Sequence, residues 1–117
     1  MNYQLLENFI KNRVRRGDIY VPATIVMMLK NGGSATVEEV ARLLYIFEYK
    51  RSVKEYETIV KSFSFVLLDE YGLVTKDENN YSLKQWPLKE GEADKLVSIC
   101  YEVTDGFFKN LDEGKAA

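Results

Sequence analysis

Histidine is absent from the 117 residues, and cysteine occurs once, as Cys100. Without histidine the chain lacks the usual general acid–base side chain, both the Ser–His and Cys–His nucleophile pairs, and the commonest metal ligand. A single thiol excludes an internal disulfide and a thiolate zinc site. No catalytic residue, metal or cofactor is therefore expected. Aspartate and glutamate are scattered in the manner of solvated helix faces. No apolar run approaches the length that spans a bilayer. The opening MNYQLLENFIKNRVRR has its charges after its apolar residues and no small-residue cleavage site, unlike a signal peptide. A cytoplasmic protein with no membrane contact is the expectation. Positive charge is not in excess either: the net charge is −2 and the isoelectric point about 5.2. Dedicated nucleic-acid binders are more often basic, so any such role has to rest on local patches.

What is present is the composition of one soluble domain, 46% apolar and 29% charged, spanning 1–117 and long enough to bury one core. Leu6, Phe9, Ile10 and Val14 lie at helical spacing and predict a helix over 3–15. ATIVMMLK is apolar nearly all round and predicts a helix over 21–31 at the centre of the core, with Pro22 in its first turn and Asn31-Gly32-Gly33 as its stop. Thr36 and Glu39 form a capping box ahead of a helix over 36–47, which turns Val37, Val40, Ala41, Leu44 and Phe47 inward. Glu48–Arg51 reads as a short polar connection. Ser52 and Glu55 repeat the capping-box spacing before a helix over 53–71 with Tyr56, Ile59, Val60, Phe63 and Leu67 as its buried stripe and Gly72 as its C-cap.

The period then changes. Leu73–Lys76 and Tyr81–Lys84 predict two short strands, with Asp77–Asn80 as the turn between them. Trp86-Pro87 is a linker anchored by the indole. A last helix is predicted over 90–111, with Leu96, Cys100, Val103 and Phe107 on one stripe and Gly106 as a point of weakness; Cys100 is expected in the core. The fold class is mostly α with a small β-hairpin: a winged helix-turn-helix made of a tri-helical unit over 21–71 and a wing over 73–84. Additional helices at 3–15 and 90–111 cover each other's apolar stripes.

IYVPATIVMMLKNGGSATVEEVARLL resembles a winged-helix segment found ahead of HNH-type nuclease domains in prokaryotes: Tyr-x-Pro, an apolar helix, Gly-Gly, a small residue and a capped helix. EYETIVKSFSFVLLDEYGLVTKDENNYSL is similar to the part that follows, with its aromatic-rich helix, Tyr-Gly break and hairpin. The resemblance covers about residues 5–110. It implies a DNA-reading or targeting role beside a nuclease in restriction-like systems, and methylated DNA as a conceivable ligand. An HNH nuclease needs histidines, so the activity itself does not carry over.

In a winged helix, 53–71 is the recognition helix. Lys50, Arg51, Lys54 and Lys61 are the candidate phosphate contacts, Thr58 and Ser62 the candidate base contacts, and Lys76 and Asn79 the contacts from the wing. Glu55, Glu57, Asp77 and Glu78 oppose this reading, because each repels phosphate. DNA binding predicts a continuous positive stripe joining residues 50–54, Lys61 and Lys76, and acids breaking that stripe count against it. Lys11, Arg13, Arg15 and Arg16 form the densest basic cluster, more simply a solubilising face at a helix end. The alternative function is a protein-interaction or dimerisation module on the same scaffold, with Tyr101, Phe107 and Phe108 on the last helix as a homodimer surface.

Overall fold

The computed structural model of the chain describes residues 2–15 and 18–104. Among the described residues, six α-helices and three strands follow one another as α1 (Asn2–Asn12), α2 (Tyr20–Lys30), β1 (Ser34–Thr36), α3 (Val37–Phe47), α4 (Val53–Ile59), α5 (Phe65–Glu70), β2 (Val74–Asp77), β3 (Asn80–Leu83) and α6 (Glu92–Val103), with a π-helical turn, Val60–Ser64, joining α4 to α5. The molecule is mostly helical with a small antiparallel sheet in the order β1-β3-β2.

The all-round apolar sequence of α2 does what its composition demands: Val21 through Val26, Met28 and Leu29 are buried. α2 touches α3, α6, β1 and the π turn, so helices and sheet alike are laid against it. Leu6, Phe9 and Ile10 of α1 and Leu96, Val97 and Cys100 of α6 are buried in the same core. α6 packs on both α1 and α2, so the two outer helices do cover one another, and α6 lies between α1 and α2. Burial pushes the Cys100 thiol well above its ordinary pKa and keeps it an inert apolar side chain. Phe107, Phe108, Gly106 and Leu111, and with them the end of the helix expected over 90–111, lie outside the described residues, as does Arg16.

Several boundaries differ from the sequence-based expectation. α1 stops at Asn12, with Arg13 in a turn. Ser34–Thr36, for which no strand is expected, is a strand paired to β3 with Ala35 opposite Tyr81. Three residues are too few to display a period of two, and Thr36 serves both as strand end and as N-cap of α3. The hairpin turn is shorter than expected. Asp77 pairs with Asn80, leaving only Glu78 and Asn79 at the tip, and Glu78 takes a left-handed backbone, φ 57°.

The largest correction concerns 53–71. An extra residue is accommodated at Val60–Ser64, where the hydrogen bonds run i to i+5. Tyr56 and Val60 are buried as expected, but beyond Val60 the inward face passes to Ser64, Phe65 and Leu68. Phe63, expected in the core, is 44% exposed and Val66 45%. Phe65 stacks on Tyr81 of β3 with ring centroids 3.7 Å apart and planes 7° from parallel. The π turn is what brings that ring onto the sheet.

Gly33 joins α2 to the sheet. Its N–H donates to Met28 O and its carbonyl accepts from Leu83 N, each at 2.8 Å. Its φ is +111°, and a Cβ there would lie 2.7 Å from the Trp86 indole. The indole is thus an anchor, seated on a position that only glycine can fill. Gly33→Ala is expected to cost about 2–4 kcal/mol from the disfavoured backbone and the displaced ring together. Gly72→Ala, also at positive φ but with open space around it, should cost only about 1 kcal/mol. Urea unfolding of the two variants measures the difference, and equal losses would mean that the Trp86 contact contributes nothing.

Candidate nucleic-acid interface

Two capping boxes set the site. Thr36 Oγ1 accepts from Glu39 N, and Glu39 Oε1 accepts from Thr36 N. Ser52 and Glu55 do the same for α4. Each satisfies two otherwise orphaned donors and fixes where its helix begins. Glu55, an expected repeller of phosphate, is therefore occupied in holding the backbone.

The connection between α3 and α4 is tied more firmly than its polar sequence suggests. Glu48 Oε1 accepts from Tyr56 Oη at 2.7 Å and from Tyr20 Oη at 3.2 Å. Tyr56 Oη in turn accepts from Lys50 N at 3.2 Å. Tyr49 turns the chain with φ 60°, a left-handed conformation unusual for a tyrosine. One carboxylate thus links the start of α2, the turn and the inner face of α4. Burial raises the Tyr56 phenol above its ordinary pKa; the nearby Glu48 carboxylate adds to the rise, while the Lys50 N–H opposes it.

The far wall is built by the hairpin. Val37 N donates to Asn79 O at 3.2 Å, holding the β2–β3 tip against the start of α3. Between the tip, the start of α3 and the outer face of α4 lies a groove of about 610 Å³, lined by Thr36, Val37, Glu38, Lys54, Glu57, Thr58, Lys61 and Asn79. Lys54, Glu57, Thr58 and Lys61 are spaced three and four apart and so share one helix face. Glu38 is paired with Arg42 at 3.1 Å. Among the described residues, Lys54, Glu57 and Lys61 have no ion pair. The groove therefore offers two unpaired ammonium groups and one unpaired carboxylate. Thr58 Oγ1 donates to Lys54 O at 3.3 Å, which leaves its methyl group and its acceptor lone pairs for the groove.

Of the residues expected to form the site, the structure gathers Lys54, Thr58, Lys61 and Asn79 and separates the rest. Arg51 stands beside Tyr20 in a different surface hollow, shared with Arg15, Asp18, Ile59 and Phe63. Lys50 and Ser62 are exposed outside the groove. Lys76 turns back over the Tyr81 ring, Nζ 5.9 Å from its centroid. The continuous positive stripe is thus absent: Glu57 interrupts it, and Asp77 and Glu78 stand exposed at the hairpin. The N-terminal basic cluster is also dispersed. Lys11 pairs with Glu7 at 3.2 Å, and Arg13 lies 5.7 Å from the Tyr71 ring. Asn79, expected as a contact from the wing tip, does line the groove, whereas sequence reasoning missed Thr36, Val37, Glu38 and Glu57 as groove residues. Only Glu57 carried a signal, its spacing from Lys54 and Lys61.

The chain matches no known protein family, no curated protein and no solved structure. The reading of the site rests on its own geometry.

Tyr56→Phe removes a charge-assisted bond and the acceptor for Lys50 N, and should lower unfolding free energy by about 1.5–3 kcal/mol. Tyr20→Phe breaks only the longer bond and should cost about 1 kcal/mol or less. Chemical denaturation of both ranks them, and the opposite order would remove Tyr56 from its place as the principal partner of Glu48.

Proposed function

We propose that the chain is a non-catalytic DNA-binding module of winged helix-turn-helix type, serving a nuclease or acting as a transcription regulator. The observation that carries this reading is the groove. Lys54, Thr58 and Lys61, on the face that a recognition helix turns to DNA, stand with Asn79 of the hairpin tip in one open cleft and have no charged partner within the described chain. The element order also supports it: α2, β1, α3, the α4–α5 rod and a hairpin whose inner strand pairs back to β1. In this reading α4 enters the major groove of a duplex, Lys54 and Lys61 reach phosphate or base acceptors, and the hairpin is the wing. The interrupted stripe weakens a sequence-blind grip on the backbone, since few phosphates are neutralised. Binding then depends on base contacts more than is usual. The resemblance to segments that precede HNH nucleases is what brings a nuclease partner into the proposal.

A second reading, a protein-interaction module, is favoured by a separate observation. Tyr45, Ile46 and Tyr49 at the end of α3 are 36%, 54% and 72% exposed, and the two tyrosine rings pack edge to face 5.2 Å apart. None of these three residues lines the groove.

Fluorescence anisotropy with a labelled duplex of random sequence, titrated over a range of salt, tests the first reading. Binding should weaken as salt rises. Lys54→Ala and Lys61→Ala should each weaken it further and reduce the salt slope by about 1. No binding at low salt would contradict DNA recognition by this chain, and a concentration-dependent dimer abolished by Ile46→Asp would support the second reading.

A further inference from the structure

A carboxylate in a groove that faces DNA has no use for phosphate, and Glu57 is placed among the groove residues with two lysines beside it. Ionised glutamate is an acceptor only. The major groove presents two donors, the N4 amine of cytosine and the N6 amine of adenine. Adenine carries its N7 acceptor beside that amine, so one of the two carboxylate oxygens would meet a lone pair. Cytosine has only a C–H there. The cytosine amine therefore suits a carboxylate better. The guanine across the pair offers O6 and N7, both acceptors, and an ammonium group matches them. Lys54 precedes Glu57 by three residues and Lys61 follows by four, so a lysine lies on the same helix face on either side of it. A carboxylate beside an ammonium group complements the one donor and two acceptors that a C·G pair presents in the major groove.

We infer that Glu57 is a specificity-determining residue, which accepts a hydrogen bond from the N4 amine of a cytosine while Lys54 or Lys61 takes the paired guanine. The inference rests on the DNA-binding reading above. It goes beyond that reading by giving the role of the acidic residue, which phosphate binding leaves without purpose, and by naming the base pair. The hairpin tip held to α3 through Asn79 fixes the opposite wall, so the base pair is met by a formed cleft.

The test is selection of duplexes from a random library by the intact chain, by Glu57→Gln and by Glu57→Ala, with far-UV circular dichroism and thermal unfolding of each variant to establish equal folding. Glu57 is partly exposed and its side chain makes no hydrogen bond or ion pair within the described chain, so both variants should fold. Wild-type selections should hold one fixed C·G pair, with replacement by T·A costing about tenfold in affinity. Glutamine has a carbonyl and an amide that match adenine N6 and N7, so Glu57→Gln should move that one position from cytosine to adenine. Glu57→Ala should lose the preference there and bind duplexes of unrelated sequence more tightly, as a repelling charge is gone. Selection of DNA with the same base preference in all three proteins would overturn the role of Glu57 and leave DNA binding intact. Enrichment of no duplex by the wild-type chain would overturn both.

Discussion

The Glu48 carboxylate sets the geometry on which the candidate site depends. α3 and α4 are joined by a turn with no apolar side chain of its own to bury except through Tyr49, which is largely exposed. Nothing in the turn's composition would hold two helices at a defined angle. The bonds from Tyr56 and Tyr20 to one carboxylate oxygen supply that restraint. Tyr56 is fully buried, so its hydroxyl has to find a partner inside the protein, and leaving it unmade would cost the desolvation of the group. Glu48 meets that need at the edge of the core. The outer face of α4 inherits its orientation from this contact on its inner face.

The π turn at Val60–Ser64 acts on the same rod further along. A regular helix continuing from Val53 would keep Phe63 on the inner stripe. The inserted residue rotates the rest of the helix so that Phe65 reaches Tyr81 and Leu68 reaches the core. Lys54, Glu57, Thr58 and Lys61 all lie at or before its second residue, on the part of the rod whose register follows from the Ser52 cap. The hairpin, fixed by Phe65 on one side and by the Val37–Asn79 bond on the other, then closes the groove against that register. Cap, π turn and stacked rings together decide which side chains share the cleft.

The sequence made the helices and the core legible because their signals are local. The capping boxes at Thr36 and Ser52, the all-round apolar α2 and the stop at Gly32-Gly33 each depend on neighbours in the chain, and each was found where expected. The strand at Ser34–Thr36 was hidden because three residues carry no period and its partner lies far along the chain. The π turn was hidden because Phe63 and Phe65 are both apolar and either could have faced inward; the stack on Tyr81, a tertiary contact, decides between them. The site was legible in part for the same reason. Helical spacing groups Lys54, Thr58 and Lys61, whereas Arg51 stands in another hollow beside Tyr20 and Lys76 lies over the Tyr81 ring, placements that no pattern in the sequence announces. Asn79 enters the groove only through the fold.

We propose that the unpaired charges of the groove, which alternate in sign, meet the edge of a DNA duplex. The most direct measurement is a titration of the ¹⁵N-labelled chain with an unlabelled duplex, followed by amide chemical shifts. The account predicts that the shifts concentrate on Lys54–Lys61, Thr36 to Glu38 and Asn79, while Tyr45, Ile46 and Tyr49 remain unmoved. Shifts confined to the end of α3, or spread evenly over the surface, would contradict it.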